Sequence, residues 1–405
     1  MMIVRPVLRR GVCLTAHPDG CAERVRRDIA RAASAPMAHG PSVVLVIGSS
    51  SGLGLAARIY AAFGCGAATV GVYRGRPATR HRTATAGWYN ARALRAELDR
   101  AGLWARDVIG DAFADDTKQR AVAALRTAPG PVEVVIHSVA TSRRTDPCTG
   151  TTYRSTIAAV GKPYTELSYD VTDGSVRRVT LPAASPRQVA ETVAVMGGDD
   201  WQRWIETLDA AGVLAPHART VAFTYVGPAF LARSYRLGTL GAAKRHVERT
   251  ATRLHDVLAP RGGGAYAAAA SALITPASAV IPIQSLYTVL LTGVLGERGP
   301  VRDPLDQARD LFHALATGPV VDGAGRIRLD GADLAPEVQA EVRTRWTSVT
   351  SDNVAELGGN EYRARLLAAY GFGIPGVDYE RPVNPMSFDL APVGAAPISP
   401  SSEED

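Results

Sequence analysis

From Val43 the chain reads VVLVI, five apolar residues with no polar break, then a Gly/Ser turn, then the alanine-rich stretch LAARIYAAFG. A run that short and that uniformly apolar predicts a strand buried on both faces, with the following helix packed on it. The pattern recurs in ATVGVY ending at Tyr73, ARDVI before Gly110, VEVVIH before Ser138, RTVAFTY after Ala218 and GAYAAAA from Gly264. Each run closes in a turn at which the next segment changes character.

Strand, turn and helix in repeated alternation predict an α/β fold, a Rossmann-like doubly wound parallel sheet with N- and C-terminal extensions and a lid insertion. The alternation fails from Thr141 to about Pro216. There SRRTDPCTGTTYRS and ELSYDVTDGSVRRVTL predict hairpins, and DDWQRWIETLDAAGVL predicts a helix carrying Trp201 and Trp204. The expected organisation is one large domain over 1–390, with 1–40 as an N-terminal extension built on the basic helix CAERVRRDIARAA. Residues 141–216 form a substrate lid in this reading, 300–390 a C-terminal helical extension, and the Pro/Ser/Ala-rich, finally acidic 391–405 a disordered tail.

Composition narrows the function classes. The hydrophobic share of 46% is ample for a core, and the net charge of +6 suits an anionic partner. The arginines are dispersed and not interleaved with aromatics, so no nucleic-acid track is predicted and phosphates of small molecules are the expected anions. Cys13, Cys21, Cys65 and Cys148 form no CxxC pair and have no histidine at zinc spacing, which predicts reduced thiols and no metal. No charge falls between Arg261 and Glu297, but Pro276 and Pro282 interrupt the stretch, so a buried strand, turn and helix are predicted and no membrane span. The opening MMIVRPVLRRG lacks the apolar core of a signal peptide, and a cytoplasmic monomer is the expectation.

The candidate chemistry lies in TYVGPAFLARSYRLGTLGAAK, from Thr224 to Lys244. Tyr235 and Lys244 are nine positions apart and would face opposite sides of one continuous helix. Gly238 and Thr239 supply a break, with Thr239 as the predicted N-cap, so that both tips can reach one cavity. An ammonium beside a phenol favours the phenolate and makes the O–H a better acid toward an oxygen gaining negative charge. Lys118, Lys162 and Lys244 are the only lysines in the chain. A lysine kept where arginine fills nearly every other basic position suggests a site that needs a compact point charge.

Gly48, Gly52 and Gly54, with Ser49, Ser50, Ser51 and Leu53 between them, place a Gly-x3-Gly-x-Gly turn between the first buried strand and its helix. That is the setting in which backbone approaches a pyrophosphate at a helix N-terminus. The second strand ends in Arg74, Gly75 and Arg76, about 20 residues past the last glycine, where this fold reads the adenosine ribose. No carboxylate stands there to receive the hydroxyls of NAD. Two guanidinium groups flank the gap and favour a phosphorylated ribose, so NADPH is the preferred cofactor and NADH a possible one. A glutamate introduced at Gly75 is expected to move the preference toward NADH.

Tyr-x8-Lys, preceded by Tyr225, Gly227 and Pro228 in a Tyr-x-Gly-Pro turn, resembles the trans-2-enoyl-CoA reductases and the related V-type enoyl-acyl-carrier-protein reductases. The likeness runs from HPDGC at His17 to VNP near Val383 and includes TAGWYN at Thr85. Members usually carry an acidic residue at the position of Gly75, and this chain departs from them there. The resemblance implies NAD(P)H-dependent reduction of the C2=C3 bond of trans-2-enoyl-CoA or enoyl-acyl-carrier protein. It implies Tyr235 on the enolate oxygen, Lys244 on the nicotinamide ribose and Tyr225 on the thioester. Asp111 and Ala112 would flank adenine, Val139 and Ala140 lie along the dinucleotide, and Leu273, Ile274 and Thr275 close a late strand near the nicotinamide.

Rival readings make distinct demands. A carbonyl-reducing short-chain dehydrogenase wants Tyr-x3-Lys, and no tyrosine stands four before any lysine here. A dinucleotide-sensing protein without catalysis needs neither Tyr235 nor Lys244. A reductase of the same family recruited to an unusual enoyl substrate in a specialised pathway remains compatible with every motif.

Overall fold

The computed structural model describes residues 1–9 and 11–387; the tail expected at 391–405 lies outside them. Seven strands form one sheet: β1 (Val43–Ile47), β2 (Ala68–Tyr73), β3 (Ala105–Ile109), β4 (Val132–His137), β5 (Leu214–Thr224), β6 (Gly264–Ala269) and β7 (Arg326–Arg328). Their order is β7-β6-β5-β4-β1-β2-β3, and each neighbouring pair runs parallel. Chain direction across the sheet reverses between β1 and β4, so a crevice opens at their carboxyl ends. Every residue of β1 and of β2 is buried, as strands covered on both faces require.

The helices are α1 (Pro18–Ala33), α2 (Gly52–Ile59), α3 (Ala86–Arg100), α4 (Asp115–Leu125), α5 (Pro186–Met196), α6 (Asp199–Ala210), α7 (Thr239–Leu258), α8 (Gln284–Gly296), α9 (Pro304–Thr317), α10 (Pro336–Ser348) and α11 (Asn360–Ala368). One sheet face is covered by α1, α2, α3 and α9, with Val25, Leu55, Leu94 and Phe312 in a shared core. The other is covered by α4, α6 and α7 through Ala121, Trp201, Trp204 and Val247. A third core gathers α8, α10 and α11 around Leu290, Val342 and Leu366. Against it lies the hairpin of Tyr164–Asp170 with Ser175–Leu181.

Two expected boundaries move. The segment 141–216 divides near Gly198: hairpins and α5 precede it, whereas α6 belongs to the sheet's own cover. Trp201 donates its indole N–H to Thr220 Oγ1 on β5 at 2.8 Å, and Trp204 donates to the Ala112 carbonyl at 3.1 Å. An amphipathic helix shows in sequence that it has an apolar face but not which surface receives it. In the same way α9, assigned by position to the C-terminal extension, packs against α2 as a layer helix between β6 and β7. The uncharged stretch 261–297 resolves into β6, a loop and the thirteen-residue α8. Among the described residues no helix is long and apolar enough to cross a membrane.

A buried ion pair joins α4 to α6. Lys118 Nζ lies 2.8 Å from Asp200 Oδ1 and also donates to the carbonyls of Ala112 and Phe113, while Asp200 Oδ2 lies 3.3 Å from His137 Nε2. Both Lys118 and Asp200 are almost wholly buried, so deleting one charge strands the other in low dielectric. Lys118→Met is therefore expected to lower unfolding free energy by about 3–5 kcal/mol. Urea denaturation followed by tryptophan fluorescence measures it, and a midpoint unchanged from wild type would refute the buried-pair account.

Candidate active site

The carboxyl ends of β1, β2, β4, β5 and β6 surround a cavity of about 610 Å³. Its floor on one side is the turn into α2. Gly48 sits at φ +88°, and a Cβ there would stand 2.1 Å from the Ser138 carbonyl oxygen, so only glycine lets β1 and β4 close at this level. Ser50, Ser51, Gly52 and Leu53 line the cavity. Ser51, the N-cap of α2, makes no side-chain bond to the first turn, which leaves helix N–H groups free to meet an anion. Ser49 and Gly54 are not on the wall. The Ser49 hydroxyl bonds the Val72 carbonyl at 3.3 Å, and a Cβ on Gly54 would stand 2.2 Å from the Gly48 oxygen. Their work is to pack the helix against the turn.

Arg74, Asp111, Ala112, Val139, Ala140, Leu273 and Thr275 line the cavity. Gly75 and Arg76 lie beyond the wall. A Cβ at Gly75 would come within 2.7 Å of Trp88 Cε3, so the tryptophan fills the space a larger residue would need. Asp111 stands 3.6 Å from Arg74 and shares its charge. Leu273, Ile274 and Thr275 follow β6 in a loop, because the strand ends at Ala269. Ile274 faces a second cavity of about 220 Å³ instead.

Tyr225, Tyr235 and Lys244 line the same cavity. The break between Tyr235 and Lys244 is present: a 3₁₀ turn, Ala229–Ser234, ends in Tyr235 at φ −140°, ψ −71°, and α7 starts at Thr239. The N-cap is Gly238, one residue earlier than predicted. The Thr239 hydroxyl turns away to the Ala158 carbonyl at 3.3 Å and the Thr156 carbonyl, tying the helix start to the segment ahead of the Tyr164–Leu181 hairpin. The two phenol rings meet edge to face with centroids 4.8 Å apart. Tyr225 donates to Gln284 Oε1 at 3.2 Å. Tyr235 is buried, 7% exposed.

The electrostatics differ from the expectation of a phenol acidified by a neighbouring ammonium. Burial pushes both phenols above the ordinary value, with Arg236 pulling Tyr235 partly back. Burial also pushes Lys244 down to about 8, against the pull of Glu248. The Lys244 amine is held by the Phe223 carbonyl at 2.9 Å. Tyr235 thus stays a neutral donor near physiological pH, because desolvation penalises phenolate more than the nearby cations reward it.

Two residues essential to this geometry escaped the sequence reading. Glu248, one turn after Lys244, takes both ends of the Arg236 guanidinium at 2.7 and 2.8 Å and the Thr224 hydroxyl at 2.8 Å. Burial pushes its carboxyl up, but the bonds from Arg236 and Thr224 outweigh burial and keep it below the usual range. Gln284 is the other. Its only sequence signal is an amide directly after the apolar IPI at a helix start.

Three family models match the chain. Residues 82–315 match the trans-2-enoyl-CoA reductase catalytic region, residues 3–80 the NAD(P)H binding domain of trans-2-enoyl-CoA reductase, and residues 321–383 the enoyl reductase FAD binding domain. An enoyl-[acyl-carrier-protein] reductase [NADH] of Opitutus terrae is 44% identical over 391 residues, covering 95% of this chain and 99% of the relative. A protein of the same name from Burkholderia pseudomallei (strain K96243) is 45% identical over 95% of this chain and 98% of its own. Among solved structures, Treponema denticola trans-2-enoyl-CoA reductase in complex with NAD superposes with a TM-score of 0.90 at 36% identity, over 95% of this chain and 98% of that one. The Clostridium acetobutulicum trans-2-enoyl-CoA reductase in complex with NADH gives 0.92 at 33% identity, over 96% and 100%.

A pyridine dinucleotide fits the first cavity: the positive-φ glycine turn, the open N-terminus of α2 and the Lys244 amine offer donors along one wall. A flavin dinucleotide does not fit residues 321–383. None of them lines the large cavity. The small one, which Arg365, Ala368, Ala369 and Ile374 reach, has about a third of its volume. Trp346, Tyr362 and Leu366 spend their side chains on the core around α8.

A lysine whose folded value lies below its unfolded one binds fewer protons when folded, so stability gains as pH rises from about 8 to about 10.4. Lys244→Met is accordingly expected to be more stable than wild type at pH 7 by about 1–2 kcal/mol, discounted for the exposure of its stem to the cavity. The difference should shrink above pH 10. Urea melts at pH 7 and 10 measure it, and a variant less stable than wild type at pH 7 would contradict the desolvated amine.

Proposed function

Because the chain belongs to the trans-2-enoyl-CoA reductase family, we propose that it is an oxidoreductase that saturates the C2=C3 bond of trans-2-enoyl thioesters with a nicotinamide dinucleotide. The observation that carries this reading is the placement of Tyr225, Tyr235 and Lys244 around one cavity that begins at a pyrophosphate-type glycine turn. A nicotinamide held in the cavity would supply the hydride that C3 receives. The C2=C3 pair then moves toward the thioester carbonyl, leaving negative charge on its oxygen. Tyr235 hydrogen-bonds that oxygen, and C2 takes a proton from water as the carbonyl re-forms. A neutral phenol donates a hydrogen bond to that oxygen without giving up its proton, so its raised pKa does not prevent the contact. A donor aimed at charge that exists only after hydride transfer favours the transition state over the ground state.

Lys244, its direction fixed by the Phe223 carbonyl, would hold the nicotinamide ribose with its positive charge. The hairpins and α5 of residues 141–198 form the wall that receives the acyl chain and its carrier, coenzyme A or acyl carrier protein. Arg74, on the cavity wall and 66% exposed at its side chain, favours a 2′-phosphate, and Gly75 sets no carboxylate against it. This supports NADPH in a family whose named relatives use NADH. Asp111 works the other way, since its carboxylate 3.6 Å from Arg74 offsets part of that charge.

Tyr235→Phe is expected to reduce kcat about 10²-fold or more while leaving dinucleotide affinity intact. Steady-state kinetics on crotonyl-CoA, with cofactor oxidation followed optically, decide it; wild-type turnover in this variant would remove Tyr235 from the chemistry.

For the cofactor, kcat/KM with NADPH should exceed that with NADH by about tenfold, roughly 1.4 kcal/mol. Arg74→Ala should erase the margin, because it removes the guanidinium and frees Asp111 to repel the phosphate. A glutamate at Gly75 is the poorer test, since it also displaces Trp88. Equal efficiency with both cofactors in wild type would end the NADPH preference.

A further inference from the structure

The polar contacts behind Tyr225 run in one direction. Ser234 has a single hydroxyl proton and gives it to the Leu231 carbonyl at 2.7 Å. Toward Gln284 its oxygen can only accept, and Gln284 Nε2 donates to it at 2.6 Å. With the amide nitrogen committed to Ser234, the amide oxygen faces Tyr225 and takes the phenol proton at 3.2 Å. The series ends on a backbone carbonyl, which has no proton to return. Its polarity therefore reads Tyr225 to Gln284 to Ser234 to Leu231 and cannot be reversed without breaking the last bond.

The amide is held firmly enough for that polarity to matter. Gln284 is 5% exposed and opens α8, and Thr288 Oγ1 donates to its backbone carbonyl at 2.9 Å, which fixes the residue in the first turn. Ile283, immediately before it, has φ +70° and is the one non-glycine residue with positive φ among the described residues. For a β-branched side chain that conformation is strained and persists only where the surroundings impose it. They do so here: the Ile283 N–H donates to Ser168 Oγ at 3.2 Å, and Ser285 Oγ donates to the Tyr169 carbonyl at 2.9 Å. Both partners lie on the hairpin packed against α8.

We propose that Gln284 is a positioning residue that accepts the Tyr225 hydroxyl hydrogen bond, so that Tyr225 meets the substrate only through its oxygen lone pairs and Tyr235 is the single phenolic donor to the thioester oxygen. The proposal rests on the enoyl-reductase reading above. Its content is the division of labour between two phenols whose rings are 4.8 Å apart and which, by proximity alone, could each donate. Gln284 breaks that equivalence.

The test is a double-mutant cycle read in kcat with crotonyl-CoA at saturating cofactor. In wild type, Tyr235→Phe should cost about 10²-fold or more. In a Gln284→Met background, which keeps the volume and removes the acceptor, the Tyr225 proton is released and the same change should cost about tenfold or less. Ser234→Ala removes the acceptor that orients the amide, lets Gln284 turn its N–H toward Tyr225, and should show the same coupling at smaller size; it also serves if Gln284→Met does not fold. A merely structural role for Gln284 would lower rates without changing the cost of Tyr235→Phe. Equal costs in all backgrounds overturn the proposal and leave Tyr235 as donor. A silent Tyr235→Phe in wild type overturns the donor reading and this proposal together.

Discussion

One carboxylate holds the reactive end of the cavity together. Tyr225 follows β5, Tyr235 closes a 3₁₀ turn and Lys244 lies inside α7, so three separately moving elements must deliver three side chains to one point. Glu248 joins them through their neighbours: Thr224 precedes Tyr225, Arg236 follows Tyr235, and Lys244 is one helical turn away. A paired guanidinium–carboxylate contact is directional as well as strong, which suits a task that is about angle. Arg326 on β7 comes within 3.8 Å of the same carboxylate and ties it to the sheet edge. With the loops so fixed, the phenols keep their edge-to-face contact without needing each other's hydroxyls.

Burial then sets the charges. Around this clamp the wall excludes enough water to raise both phenols and to depress the lysine to about 8. Such a site is costly for the protein alone, since a desolvated amine and a strained Ile283 both weigh against folding. They are the signs of a surface shaped for a ligand. On the proposed reading an anionic dinucleotide would restore charge balance at Lys244, and a developing oxyanion would find Tyr235 already neutral and in place. Preorganised donors cost nothing further at the moment of reaction.

The glycine turn and the reactive end depend on each other through the sheet. β1 and β4 approach so closely that Gly48 admits no Cβ beside Ser138, and the same closure brings His137 against Asp200 on α6. Helix α6 is thereby a structural wall of the dinucleotide crevice, although it arrives at the end of the long irregular segment that looks like a lid.

Sequence alone determined what depends on near neighbours. Strand runs, the glycine turn, the break between Tyr235 and Lys244 and the buried α8 all follow from periodicity, missing Cβ atoms and prolines, which act within a few residues. Tertiary structure decided direction. Ser49, Gly54, Gly75, Arg76 and Ile274 sit within two residues of cavity-lining positions yet face elsewhere, because side-chain direction in a loop is set by what packs behind it. The partners that orient the site are far apart in the chain: Gln284 is 59 residues from Tyr225, and Glu248 is 24 from Thr224. No local pattern records such a pairing, since a hydrogen bond between distant segments exists only after the sheet has brought their ends together.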